Sequence, residues 1–127
     1  MPKRRLLVVD DEPAIREIAQ ISLEAIGGWE TAAAGSGTEA LARVAVDRPD
    51  AILLDVMMPG LDGPQTVARL QQEASTRDIA VILLTAKVQP PERARLAGLP
   101  GVTGLIAKPF DPIELPAQIA EFVGWDL

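Results

Sequence analysis

Three short apolar runs, Leu6-Leu7-Val8-Val9, Ala51-Ile52-Leu53-Leu54 and Ala80-Val81-Ile82-Leu83-Leu84, are continuous rather than alternating. A strand with one wet face alternates apolar and polar residues. An unbroken run fits a strand covered on both faces, as inside a parallel sheet. Thr31 to Ala34 and Thr103 to Ala107 are weaker runs and read as strands nearer the sheet edges.

Helical patterns lie between the runs. Pro13 suits a first helical turn, and Ile15, Ile18, Ile21, Ala25 and Ile26 follow helical spacing until Gly27-Gly28. Thr38 to Val46 and Pro64 to Glu73 repeat the pattern; Pro91 to Leu99 is poorer, mostly Arg and Ala with Leu96. The last helix is expected to carry Ile113, Leu115, Ile119, Phe122 and Val123. Five such βα units predict an α/β fold, a doubly wound five-stranded parallel sheet with helices on both faces and right-handed crossovers. At 127 residues the chain is read as one domain, 1–127, with its core at about 5–123; a closed eight-unit barrel needs roughly twice that length.

Composition limits the chemistry. There is no Cys, His or Tyr, so thiolates, imidazole bases, Ser-His-Asp triads and most zinc or haem sites are excluded. Eighteen carboxylates against twelve Lys and Arg give a formal charge of −6, which speaks against direct nucleic-acid binding. No apolar run is long enough to span a membrane. The stretch after Lys3-Arg4-Arg5 ends at Asp10, so a solvated terminus is expected rather than a signal peptide, and a cytoplasmic protein with no membrane partner.

Polar groups stand where the strong runs end: Asp10-Asp11, Asp55, Thr85 and Lys108. Ligands of open parallel sheets bind at the carboxyl ends of the strands. Helix capping is the plainer reading for Asp10, Asp11 or Thr85. It explains neither Lys108, whose charge is wrong for a helix start, nor Asp55 ahead of Val56-Met57-Met58-Pro59-Gly60. Gathered together, three carboxylates would raise one another's pKa values. A divalent cation removes that conflict, and among oxygen donors Mg²⁺ fits best. Mg²⁺ commonly bridges to phosphate, with Lys108 as a point charge on phosphoryl oxygens and Thr85 as a hydroxyl donor. No P-loop follows the first strand, and Gly35-Ser36-Gly37 reads as a turn.

Asp10-Asp11-Glu12, Asp55 with Met58-Pro59-Gly60-Leu61-Asp62-Gly63, Leu84-Thr85-Ala86 and Lys108-Pro109-Phe110 together resemble the receiver domain of bacterial two-component response regulators, from about Arg5 to Val123. The resemblance implies a flavodoxin-like sheet of order 2-1-3-4-5 and a cis Lys108-Pro109 bond. It implies phosphoryl transfer from a phosphohistidine of a sensor histidine kinase or histidine phosphotransfer protein to Asp55, a choice over Asp10 or Asp11 that the strand-end pattern leaves open. It further implies Mg²⁺ held by Asp10, Asp11, Asp55 and the Met57 carbonyl, Asp10 acting mainly through water. The result is a phosphoacceptor switch, not a turnover enzyme, acting on a downstream protein. An unphosphorylated interaction module is the alternative, and a small Mg²⁺-dependent phosphatase is disfavoured by Met57, where a second Asp is wanted.

Three departures from that pattern fall on the expected output face. Leu105 stands where an aromatic switch is usual, Pro116 falls within the expected fifth helix and should strain its preceding turn, and Leu99 to Gly104 lacks the usual acidic lead-in. Met57 and Lys87, two residues beyond Asp55 and Thr85, offer little to align a water, which predicts slow loss of phosphate.

Overall fold

The computed structural model describes residues 3–86 and 88–127, and the reading of Lys87 lies outside them. Strands β1 (Arg5–Val9), β2 (Glu30–Ala34), β3 (Ala51–Asp55), β4 (Ala80–Ala86) and β5 (Val102–Lys108) alternate with helices α1 (Pro13–Ala25), α2 (Gly37–Asp47), α3 (Gly63–Gln72), α4 (Pro90–Ala97) and α5 (Leu115–Val123). All pairings are parallel, in the order β2-β1-β3-β4-β5. The two weak runs are the edge strands, as their broken apolar character implies.

The three continuous runs occupy the middle of the sheet because both of their faces are covered. Leu7, Val9, Ile52, Leu54 and Leu83 pack under α2, α3 and α4, with Val44, Val67, Leu70 and Leu96. Leu6, Val8, Leu53, Ile82 and Leu84 pack on the opposite face with Leu23, Leu115 and Ile119 of α1 and α5. Burying a large aliphatic side chain stabilises a fold by about 1.5–3 kcal/mol, so these two layers fix the register that brings the strand ends level.

Helix α1 differs from the expected pattern. Its isoleucine stripe is not the face that meets the sheet: Ala19, Ser22 and Leu23 are buried, whereas Ile18, Ile21 and Ile26 are exposed. Small residues let the helix sit close to the strands, and the Ser22 hydroxyl donates to the Pro112 carbonyl. The last helix also begins later than the apolar spacing suggests. Asp111 accepts from the backbone N–H of Ile113 through Oδ1 at 2.8 Å and from that of Leu115 through its carbonyl at 2.9 Å, forming a turn that leaves Ile113 exposed. Pro116 therefore falls in the first turn of α5, where its missing N–H has no intrahelical acceptor to lose, and the expected strain does not arise.

Candidate functional site

The carboxyl edge of the sheet is built from four strand ends. Asp55 closes β3, and its register partner Leu84 on β4 precedes Thr85 by one residue. Lys108 closes β5 opposite Ala86. Asp10 follows β1 directly, its N–H bonded to the Ala34 carbonyl at 3.2 Å. Asp10, Asp55 and Thr85 are buried and Asp11 is exposed. The peptide bond Lys108-Pro109 is cis.

The sequence-predicted residues converge. Lys108 Nζ lies 2.7 Å from Asp10 Oδ2 and 3.3 Å from Asp55 Oδ1. Carboxylate oxygens of Asp10, Asp11 and Asp55 lie within 4.8 Å of one another. Thr85 reaches the same edge, but its hydroxyl donates to the Ala86 carbonyl at 3.0 Å. The Met57 side chain is 76% exposed, so only the backbone of that residue belongs to the site.

Electrostatics follow from that crowding. Burial and then the Asp10 charge push the Asp55 carboxyl up to about 6, against the Lys108 ammonium and the Met57 N–H, which favour the ionised form. For Lys108, burial works against the charge, but the two carboxylates outweigh it and hold the ammonium above its ordinary range.

The donor set suits a hard divalent cation. Every side-chain donor is a carboxylate oxygen, and the cluster is more negative than one ammonium can neutralise. Asp10 Oδ1 accepts from the Glu12 N–H at 2.9 Å. Asp10 Oδ2 is buried with no hydrogen bond of good geometry, the ammonium approaching it off the bonding direction. A buried carboxylate oxygen left in that condition is costly unless something else coordinates it.

Two supports were not legible as site residues. Arg16 Nη1 donates to the Asp10 carbonyl at 2.8 Å, and the sole sequence signal is a cation one turn into the helix after the acidic pair. At Gly63, a Cβ would stand 2.6 Å from the Asp55 carbonyl, so glycine lets α3 start against the end of β3. Asp62 caps α3, accepting from the Gln65 N–H at 2.9 Å while the Gln65 side chain accepts from the Asp62 N–H at 3.0 Å.

A model of the response regulator receiver domain family matches residues 6–120. The chain is 40% identical over 120 residues to the phosphate regulon transcriptional regulatory protein PhoB of Pseudomonas aeruginosa, covering 94% of this chain and 51% of that protein. It is 43% identical over 116 residues to the response regulator MprA of Mycobacterium leprae, covering 91% and 49%. The chain spans about half the length of the curated relatives it matches. Among solved structures, the chemotaxis protein CheY4 of Vibrio cholerae aligns with a TM-score of 0.86 at 30% identity, over 94% of this chain and 98% of that one. The N-terminal domain of a response regulator receiver protein from Methanoculleus marisnigri aligns with a TM-score of 0.74 at 37% identity, over 92% and 94%. Among the described residues, no helix is long and apolar enough to cross a membrane.

Proposed function

The chain belongs to the response regulator receiver domain family, and we propose that within it Asp55 is the carboxylate that accepts a phosphoryl group. The observation that carries this reading is the Lys108 ammonium set between Asp10 and Asp55, at 2.7 and 3.3 Å. One oxygen of Asp55 attacks the phosphorus of a phosphohistidine. The P–N bond breaks with its electron pair returning to the donor imidazole, and an acyl phosphate forms on Asp55. No proton need be taken from the nucleophile, because a carboxylate already ionised attacks directly. A chain without His is therefore fully equipped.

Asp10, Asp11, Asp55 and the Met57 carbonyl would hold Mg²⁺, Asp10 acting mainly through water. When bound, the ion supplies charge neutralisation to the crowded carboxylates and the incoming phosphoryl oxygens. Lys108 contributes a second positive charge that no protonation equilibrium removes near neutral pH. Thr85 would exchange its Ala86 carbonyl for a phosphoryl oxygen, moving the β4–α4 connection and so the face built by α4, β5 and α5.

The groove beside Lys108, lined by Ile15, Ile18, Pro109, Phe110 and Pro112, is where we place the histidine-bearing donor, a sensor kinase or phosphotransfer protein working in the cytoplasm. The switched face then acts on a downstream protein. An unphosphorylated interaction module has no use for a buried, cation-flanked acceptor and is the weaker reading.

Incubation with Mg²⁺ and acetyl phosphate, followed by intact-mass measurement, tests the proposal. The wild type should gain one phosphoryl group and Asp55→Asn none. An unmodified wild type, or a variant modified equally, overturns it.

A further inference from the structure

Gly35-Ser36-Gly37 forms the turn that leads from β2 into α2. Ser36 explains its own place, since its hydroxyl caps α2 by accepting from the Glu39 N–H at 3.0 Å. The glycines need another account. Neither is among the positive-φ residues, so conformational freedom does not call for them. Close approach does. A Cβ on Gly35 would stand 3.2 Å from Arg16 Nη1, the atom that donates to the Asp10 carbonyl at 2.8 Å. A Cβ on Gly37 would stand 2.5 Å from the Leu61 carbonyl and closer still to the Thr66 hydroxyl, which donates to the Asp62 carbonyl at 2.7 Å. One side of the turn therefore abuts the segment that follows Asp10-Asp11. The other abuts the segment that follows Asp55, itself pressed to the acceptor strand at Gly63.

We propose that this turn is a positioning brace, holding the Asp10-Asp11 loop and the Asp55 loop at a fixed separation, with Arg16 as the positioning residue for the acidic pair. The proposal rests on the phosphoacceptor reading above. The Arg16 guanidinium fixes the backbone that aims Asp10 and Asp11, so it sits one layer behind the carboxylates that would hold Mg²⁺. Outer groups of this kind typically tune metal affinity tenfold or more. Gly37 does the equivalent for the second loop by excluding side-chain volume, since any Cβ would drive Leu61 and Thr66 outward.

The test compares wild type, Arg16→Met, Arg16→Lys and Gly37→Ala in the full chain. Mg²⁺ affinity is read by calorimetry, and acetyl phosphate labelling is followed against Mg²⁺ concentration. Arg16→Met and Gly37→Ala should each weaken Mg²⁺ binding about tenfold. The labelling rate at saturating Mg²⁺ should change less than its half-saturation point. Arg16→Lys, which keeps a cationic donor for the Asp10 carbonyl, should recover most of the affinity. A merely structural role would lower the melting temperature and leave Mg²⁺ affinity where it was. If Gly37→Ala does not fold, Thr66→Val, which presents a methyl to the turn in place of the hydroxyl, replaces it. Affinities within twofold of wild type for both arms, or a shift in one arm alone, overturn the brace. A wild type that neither binds Mg²⁺ nor takes up phosphoryl overturns the phosphoacceptor reading instead.

Discussion

Lys108, at the carboxyl edge of the sheet, and helix α4, packed on one of its faces, are held by different physics. At the carboxyl edge, charged groups are buried and paired at short range: Lys108 against Asp10 and Asp55, and Asp10 again through the Glu12 N–H and the Arg16 guanidinium. Helix α4 buries one side chain, Leu96; its N-cap Gln89 makes no side-chain bond, and its ion pair Glu92–Arg95 is on the surface, where such pairs contribute little. Fixed charges in a buried cluster resist displacement because any movement leaves one of them unpaired. A helix anchored by one buried side chain moves at low cost. The molecule thus combines a rigid carboxylate cluster with a soft neighbouring face, which is the arrangement the proposed phosphoryl-driven switch needs.

The strongest way to break that contrast is to remove the cation at the rigid end. Lys108→Met leaves Asp10 and Asp55 buried together without a partner. It is expected to cost roughly 3–5 kcal/mol at pH 7 without Mg²⁺ and to abolish phosphoryl uptake. Adding Mg²⁺ should restore part of the stability but not the chemistry. Denaturant melts with and without the ion check this, and a variant as stable as wild type in EDTA would show that the pair does not organise the site.

The matching change at the soft end is Leu96→Ala. Losing a buried leucine costs about 2–3 kcal/mol where neighbours can close in, and α4 has few contacts to prevent it. Amide exchange should rise across α4 and the start of β5 while labelling by acetyl phosphate stays within about twofold of wild type, a change of under half a kcal/mol in barrier. Equal loss of protection over β1 and β3 would mean that the two regions are one cooperative unit.

These regions were not equally legible in sequence. The central strands could be read because burial on both faces leaves unbroken runs, and Asp10, Asp55 and Lys108 because charge at the end of such a run is conspicuous. Helix α1 misled because close packing on a sheet selects small residues, Ala19 and Ser22, while Ile18 and Ile21 remain outside. Pro116 misled because the Asp111 turn delays α5, a side-chain-to-backbone effect that hydrophobic spacing does not encode. Phe122 likewise belongs to the apolar pattern of α5 but is 41% exposed, its ring lying over Gly104. Arg16 was invisible because its role depends on where its guanidinium ends.

A smaller effect sharpens the electrostatic half of the contrast. The Asp55 carboxyl is raised to about 6, against about 3.9 in an unfolded chain. The folded state therefore holds the extra proton between those values, and stability falls as pH rises from about 4 to 6. Above that the penalty, on the order of 2 kcal/mol, is fully present. Asp55→Asn removes the titrating group. In EDTA it should melt higher than wild type at pH 7, with the difference fading toward pH 4. Parallel melting curves across that range would show that burial and Asp10 do not outweigh Lys108.

The smallest effect concerns how long the rigid end keeps its phosphoryl group. Hydrolysis of an acyl phosphate needs a water aligned for in-line attack, and a polar side chain near the acceptor can align one. Two residues after Asp55 stands Met57, whose side chain is exposed at the edge of the site and whose thioether is a poor acceptor and no donor. An exposed thioether beside the site gives a water nothing to be oriented by. Met57→Asn puts an amide there, with two donors and an acceptor, while leaving the backbone that flanks Asp55 in place. Loss of phosphate should accelerate by about threefold to tenfold, a barrier change of about 1 kcal/mol, with uptake from acetyl phosphate and the melting temperature essentially unaltered. Met57→Leu separates shape from polarity, being of similar volume and equally unable to hold a water, and should decay at the wild-type rate. A time course of the phosphorylated species by intact mass reads all three proteins. If the asparagine variant decays no faster than the leucine variant, the side chain at this position has no part in the lifetime, and the persistence of the acyl phosphate belongs to the buried cluster alone.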